Sequence, residues 1–154
     1  MLILGIDPGS KITACGIIDP STKDSFWETK RLSNRLKQDD KIFEIFKFVS
    51  TVIDKYKPTE IAIESPFHSV NIKSAMVLSE IKSAAIVAAK LKNLNVYQYS
   101  PREVKQSICG YGAADKNQVK FVIEKTLNIS LKDELLDVSD ALAVALTHIY
   151  TKNL

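Results

Sequence analysis

The chain has 154 residues, of which 45% are hydrophobic and 25% charged, and its formal net charge is +3. These values are typical of a soluble globular protein with a full core, so we expect a single domain over residues 1–154. No apolar run is longer than that from Ala84 to Ala89, which is far shorter than the roughly 20 residues of a membrane span. The N-terminus lacks the basic flank of a signal peptide. We therefore expect a cytoplasmic protein with no membrane partner.

Hydrophobic periodicity and turn residues divide the chain into alternating elements. Predicted strands cover residues 2–7, 13–19, 25–31, 60–64 and 95–99, each of them bounded by turn residues. Predicted helices cover residues 39–57, 71–92, 101–109, 115–127 and 137–150, with capping signals at Ser100-Pro101 and Asp115. Strands come first and then alternate with helices. This order predicts an α/β fold, with a central mixed five-stranded sheet flanked by helices.

Four acidic residues lie at the ends of these elements. Asp7 and Glu64 each close an apolar strand, while Asp137 and Asp140 stand three apart at the start of the last helix and so share one face. In such folds ligands gather beyond the carboxyl ends of strands, and carboxylate oxygens are the ligands that Mg²⁺ prefers. We therefore expect two Mg²⁺ ions, which Mn²⁺ could replace, held about 3.5–4 Å apart as in phosphodiester-cutting sites.

Each acid also has a simpler explanation. Asp7 precedes Pro8-Gly9, where an aspartate commonly accepts hydrogen bonds from turn amides. Asp137 or Asp140 alone could stabilise the helix dipole. Neither explanation accounts for four acids at element ends that can converge. A zinc site is not indicated, because His68 and His148 are distant and unaccompanied, and His148 is expected near the far end of the last helix.

Positive charge is concentrated in the middle of the chain, where we expect contact with nucleic acid. Residues 71–132 carry ten Lys and Arg against four Asp and Glu, a balance that favours a phosphate-rich ligand next to an acidic metal site. Lys105 and Lys116 bracket a Gly-Tyr-Gly turn whose backbone could approach a phosphate. Phe67 either wedges between bases or folds back onto the core. Lys73 and Arg102 are further DNA-binding candidates, although any single lysine can be ordinary solvated surface.

Five motifs in collinear order resemble the RuvC family of Holliday-junction resolvases, within the ribonuclease H-like superfamily. They are Gly5-Ile-Asp-Pro-Gly-Ser10, Ala62-Ile-Glu64 with Phe67, Arg102-Glu-Val-Lys105-Gln, Gly112-Ala-Ala-Asp-Lys116-Asn-Gln-Val119 and Asp137-Val-Ser-Asp140-Ala-Leu-Ala143. The resemblance implies a homodimer that binds four-way DNA junctions, nicks two opposing strands symmetrically with Mg²⁺ and leaves 5′-phosphate and 3′-hydroxyl ends. It also implies a RuvAB-type branch-migration partner.

The resemblance assigns roles to seven residues. It makes Asp7, Glu64, Asp137 and Asp140 catalytic metal ligands, Lys105 and Lys116 phosphate-binding lysines, and Phe67 the aromatic near the crossover. The chain departs from the family pattern in two places. It has Thr13-Ala-Cys-Gly16 where the family usually has Thr-Gly-aromatic-Gly, and it has Ser65-Pro66 where the family usually has no proline.

Three other classes remain as alternatives. An RNA-processing nuclease of the ribonuclease H-like type would use the same acids without junction geometry. A catalytically silent junction-binding protein would not need all four acids. An ATP-binding protein of the actin and sugar-kinase type also ends its first strand in Asp-x-Gly, but it needs two lobes, which 154 residues do not provide.

Overall fold

A five-stranded mixed sheet forms the centre of the computed structural model, which describes residues 1–65 and 71–154. The strands are β1 (Ile3–Asp7), β2 (Ile12–Ile18), β3 (Ser25–Arg31), β4 (Glu60–Glu64) and β5 (Asn95–Tyr99). Their order in the sheet is β3-β2-β1-β4-β5. The β1–β2 and β2–β3 pairs are antiparallel, and the β1–β4 and β4–β5 pairs are parallel. The predicted mixed five-stranded sheet is therefore confirmed.

Five helices flank this sheet within the described ranges. They are α1 (Gln38–Tyr56), α2 (Ile72–Leu91), α3 (Pro101–Cys109), α4 (Lys116–Leu127) and α5 (Leu136–Lys152). The capping signals act as the sequence indicates, since Ser100 and Asp115 both form capping boxes with the residue three positions later. In the part of the chain that is described, none of the helices combines the length and hydropathy that crossing a bilayer would require.

The helices form one layer on each face of the sheet. Helices α1 and α2 cover the face to which Leu4 and Ile6 of β1 contribute, whereas α3, α4 and α5 cover the face to which Ile3 contributes. Side chains alternate between the two faces along a strand, so Asp7 shares the α5 face with Ile3. The alternation thus directs the acid that ends β1 toward the helix that carries the other two aspartates.

Helix α5 lies unusually close to the sheet because two paired glycines leave room for it. Gly5 and Gly16 are register partners in β1 and β2. A Cβ atom at Gly5 would lie 2.2 Å from the Ala141 carbonyl oxygen, and one at Gly16 would lie 2.7 Å from the Leu142 amide nitrogen. Real Cβ atoms do not approach backbone so closely, so both positions require glycine. This contact brings the first turns of α5 to the end of β1.

Candidate active site

Carboxylates from three elements converge on one cavity. Asp7 ends β1 and Glu64 ends β4, which are parallel neighbours paired up to Ile6 and Ile63. Asp140, in the second turn of α5, lines the same cavity of about 240 Å³. Asp137, in the first turn of α5, is near enough to act on the charge of Asp7. The structure therefore brings together the four acids that the sequence singles out.

The turn after Asp7 does not depend on its carboxylate. The Gly9 amide donates to Thr13 Oγ1 at 3.1 Å, and the Thr13 hydroxyl donates back to the Gly9 carbonyl at 3.1 Å. A Cβ atom at Gly9 would lie 2.1 Å from the Ile12 carbonyl oxygen, so the turn also needs glycine. Since Thr13 closes the turn, the explanation of Asp7 as an acceptor for the turn amides loses its main support.

Burial and mutual repulsion raise the pKa values of two of the acids. The pKa of Asp7 lies well above its usual range, first because of burial and then because of the charges of Glu64, Asp140 and Asp137, with Lys116 opposing. Burial and then the charge of Asp140 raise the pKa of Glu64 to about 7, against the lowering effects of Lys116 and Lys105. Ionising all of these acids therefore costs free energy, and a bound cation would lower that cost.

Two lysines lie at the rim of the same cavity. Lys105 from α3 and Lys116 from α4 both line it, and Lys116 Nζ lies 2.7 Å from Asp140 Oδ2. Burial opposes the charge on Lys116, but the hydrogen bond to Asp140 and the neighbouring carboxylates raise its pKa overall. Gly110, with φ of 83°, ends α3 and opens the turn that leads to Lys116. Positive charge therefore stands where a phosphate next to the acids would lie.

The donor set fits a hard divalent cation, although the acids have not closed into ligand geometry. All of the converging donors are carboxylate oxygens, the ligand type of Mg²⁺ and Mn²⁺. Among the described residues, however, no three Asp, Glu, His or Cys side chains are grouped tightly enough to hold one ion. The Lys116 ammonium bonds Asp140, and the remaining carboxylates repel one another. Ion binding would draw the acids together and release Lys116.

The other predicted DNA-binding residues lie elsewhere. Lys73, in the first turn of α2, and Arg102, in the first turn of α3, are both exposed and do not line the acidic cavity. The aliphatic part of the Arg102 side chain packs against Gly112, so closely that a Cβ atom on Gly112 would lie 2.7 Å from Arg102 Cγ. Phe67 lies outside the described residues, so its predicted role stays a prediction.

Two residues make contacts that the sequence does not predict. Lys82 Nζ bonds Ser65 Oγ at 3.0 Å and Gln98 Oε1 at 3.3 Å, so α2 holds the residue that directly follows Glu64. His148 is buried in α5 and bonds two strands. The sequence marks Lys82 only as a charge within a helix of small residues, which gives no indication of this contact.

The chain matches known proteins over almost its full length. The family model described as "Crossover junction endodeoxyribonuclease RuvC" matches residues 3–148. Proteins of that name from Legionella pneumophila and Salinibacter ruber are 37% and 40% identical to this chain, covering 99% and 96% of it and 88% and 84% of their own lengths. The structure of Thermus thermophilus RuvC in complex with Holliday junction substrate superposes with a TM-score of 0.90 at 27% identity, covering 99% of this chain and 94% of that one.

The sheet order, the two helical layers and the carboxylates at adjacent strand ends define a ribonuclease H-like nuclease domain. The chain belongs to the RuvC family of crossover junction endodeoxyribonucleases. The predicted family, fold class and enzyme class are thereby confirmed.

Proposed function

We propose that this protein resolves four-way DNA junctions in recombination and repair, as a single domain over residues 1–154. It nicks two opposing strands symmetrically and leaves 5′-phosphate and 3′-hydroxyl ends. The observation that carries this proposal is the convergence of Asp7, Glu64 and Asp140, from three elements, on a cavity lined by Lys105 and Lys116. Acids that can hold cations stand beside lysines that can hold a phosphate, which is the chemistry that phosphodiester hydrolysis needs.

The metal requirement follows from the donor set. RuvC-family proteins are metal-dependent nucleases, and we assign two Mg²⁺ ions, replaceable by Mn²⁺, to Asp7, Glu64, Asp137 and Asp140. Divalent ions in such a site supply an activated water and neutralise the leaving 3′-oxygen. The oxygen-only donor set and the raised pKa values of Asp7 and Glu64 support this assignment.

The remaining residues bind and orient the DNA. Lys105 and Lys116 hold the phosphates that flank the cut, because they line the cavity beside the acids. Phe67, in the segment directly after Glu64 and Ser65, disturbs base pairing near the crossover. Lys73 and Arg102, which are exposed outside the cavity, contact phosphates of the junction arms.

Symmetric cutting needs two active sites, and an apolar groove between α1 and α2 offers a surface for a second copy. Phe43, Met76 and Val87 are 57%, 61% and 50% exposed and line this groove of about 600 Å³. An exposed apolar patch of this kind marks an interaction site, and a two-fold dimer matches a two-fold junction. In sedimentation, Met76→Glu should shift the protein toward monomers. Phe121→Glu, at an exposed aromatic of α4 in the opposite layer, should leave it dimeric.

Two further assignments concern the cellular setting. The protein acts in the cytoplasm on recombination intermediates, with a RuvAB-type complex that supplies branch migration. Membership of the RuvC family supports both assignments. Co-sedimentation of the purified protein with such a complex on junction DNA tests the partnership, and a protein that binds the same junction equally well with and without the complex would contradict it.

A gel assay tests the central proposal. Four-way junction, linear duplex and RNA substrates are incubated with the wild-type protein and with Asp7→Asn, each with and without Mg²⁺. We expect paired nicks only in the junction and only with the wild type plus Mg²⁺, while Asp7→Asn still binds the junction. Cleavage retained by Asp7→Asn would contradict the metal site, and preferential cutting of RNA would favour an RNA-processing nuclease.

A further inference from the structure

A buried histidine connects helix α5 to the two strands at one edge of the sheet. The His148 side chain is 0% exposed, and its Nε2 and Nδ1 atoms lie 2.7 Å from Glu60 Oε2 and 2.8 Å from the Tyr99 hydroxyl. The hydrogen bond from His148 lowers the pKa of Glu60, so this carboxylate is ionised and can only accept. Nε2 therefore carries a proton, and in the neutral ring Nδ1 accepts from Tyr99. The Tyr97 hydroxyl donates to the other Glu60 oxygen at 3.1 Å.

This network touches two of the elements that line the acidic cavity, β4 and α5, and the strand β5 beside them. Glu60 begins β4, the strand that Glu64 ends. Tyr99 is the register partner of Glu64 in β5, and its carbonyl accepts the Ser65 amide at 2.8 Å. His148 follows Asp140 by eight residues on α5, roughly 12 Å along the helix axis. One side chain thus bonds the strand of Glu64, the neighbouring strand and the helix of Asp140.

Apolar packing and hydrogen bonds constrain α5 in different ways. Over β1 and β2 the helix contacts the sheet through Ala141, Leu142 and Ala145 against Gly5 and Gly16. Such contacts hold the helix close to the sheet, but hydrophobic attraction is non-directional. Hydrogen bonds weaken steeply when their distance or angle changes. The two bonds of His148 therefore add a directional constraint on the rotation of α5 and on its position along its axis.

We propose that His148 is a positioning residue, whose bonds to Glu60 and Tyr99 place Asp137 and Asp140 opposite Glu64 for metal binding. This inference rests on the metal site of the proposed function. Mg²⁺ requires near-ideal octahedral geometry, and a displacement of about 1 Å in a supporting element can cost on the order of 100-fold in rate. A small rotation of α5 would therefore weaken the site without unfolding the protein.

Isothermal titration with Mn²⁺ alone, without DNA, measures the effect directly. His148→Phe keeps a ring at this buried position but removes both hydrogen bonds, and Tyr99→Phe removes one. Thr147→Val is the matched control, because the Thr147 hydroxyl bonds the Ala143 carbonyl within α5 and connects no second element. Ile149→Ala, also buried in α5, controls for loss of stability alone. The melting temperature of each variant is measured in parallel.

We expect His148→Phe to raise the Mn²⁺ dissociation constant about tenfold, the lower range for residues that orient metal ligands, and Tyr99→Phe to raise it less. Glu60→Gln keeps an acceptor for Nε2–H and should stay near the wild type. Both controls should lower the melting temperature with unchanged Mn²⁺ affinity. Unchanged affinity in His148→Phe, with a melting temperature lowered as in Ile149→Ala, would overturn the positioning role. Absence of Mn²⁺ binding by the wild type would instead overturn the metal site itself, and this inference with it.

Discussion

Lys116 and Asp140 form an ion pair at the rim of the acidic cavity, with Nζ 2.7 Å from Oδ2. Lys116 is the first residue of α4 and Asp140 lies in α5, so the pair joins the two helices. Two of the roles proposed above compete here, since Asp140 is to hold a metal ion and Lys116 is to hold a phosphate. The ammonium group of Lys116 therefore binds the same carboxylate that would bind a metal ion. Metal binding would release Lys116, which could then bind a DNA phosphate.

Removing Lys116 should separate metal binding from DNA cleavage. In Lys116→Met we expect Mn²⁺ affinity without DNA to rise about two- to fivefold, because a partly exposed ion pair worth about 0.5–1 kcal/mol no longer competes. Single-turnover cleavage of a junction should fall roughly 100-fold, through loss of a charge next to the developing oxyanion. Titration calorimetry and quenched cleavage reactions measure the two effects.

Lys120→Met is the control for that experiment, because Lys120 lies on the same helix and does not line the cavity. It should leave both quantities near the wild type. A weaker Mn²⁺ affinity in Lys116→Met would show that the lysine assists metal binding rather than competing with it.

Neutralising Asp7 should stabilise the metal-free protein. Its pKa is raised by burial and by three neighbouring acids, and each unit of such a shift corresponds to about 1.4 kcal/mol lost when the group ionises. Asp7→Asn should therefore melt higher than the wild type near pH 7.5 without metal, by about 2–4 °C for each kcal/mol recovered. Differential scanning calorimetry measures the change. Added Mg²⁺ should raise the melting temperature of Asp7→Asn less than that of the wild type. If Asp7→Asn melts below the wild type without metal, repulsion among the acids does not destabilise the protein.

Metal affinity should rise with pH through the neutral range. The pKa of Glu64 is raised to about 7, so much of it is protonated at pH 6, and a metal ligand has to lose its proton. An acid whose pKa is higher in the folded than in the unfolded protein contributes stability at pH values below its unfolded-state pKa. This contribution is lost as the pH rises through the folded-state pKa. We therefore expect the metal-free protein to lose stability from about pH 4 to pH 8 on account of these acids, while Mn²⁺ binds more tightly at pH 8 than at pH 6.

Calorimetry in two buffers of different ionisation enthalpy reports the protons that are released on binding. Proton release by the wild type at pH 6.5 should decrease in Glu64→Gln. Equal Mn²⁺ affinity at pH 6 and pH 8 would argue that Glu64 takes no part in the site.

Gly5→Ala should disturb the site by moving α5. The added Cβ would meet the Ala141 carbonyl oxygen and the Ala145 amide, both backbone atoms that cannot rotate away. We expect a loss of about 1–3 kcal/mol in the free energy of unfolding, as for other overpacked cores, together with weaker metal binding. Urea denaturation measures the loss. A second substitution, Ala145→Gly, removes a methyl group but no backbone, so it should not restore stability.

Much of the fold was predictable because its elements have clear local signals. Strand β4 is an apolar run that ends at Glu64 and matches its predicted bounds, and the capping boxes at Ser100 and Asp115 mark the starts of α3 and α4. Helix α5 is less well marked. Its start lies one residue before the predicted bound, because its N-cap, Leu135, makes no side-chain bond that would mark it. Its end lies two residues after the predicted bound, at Lys152, where Asn153 caps the helix in the left-handed conformation.

The meeting of acids from different elements was most readily predicted where a residue ends a strand. Asp7 and Glu64 could be expected to meet, since parallel neighbouring strands bring their carboxyl ends to one edge. The bonds of His148 and Lys82 could not be predicted, because they depend on which helix packs over which strand pair. The sequence singled out Lys105 and Lys116 by their places beside the Gly-Tyr-Gly turn, and both line the cavity, whereas the further candidates Lys73 and Arg102 do not.

The chain order of these acids has a consequence for protein synthesis. Asp7 and Glu64 belong to strands that leave the ribosome early, whereas Asp137 and Asp140 belong to the helix that emerges after all five strands. In the folded protein Gly5 and Gly16 form the surface against which that helix packs. A polypeptide that ends before Asp137 lacks half of the acidic set, and we therefore expect that an incomplete chain does not cut DNA.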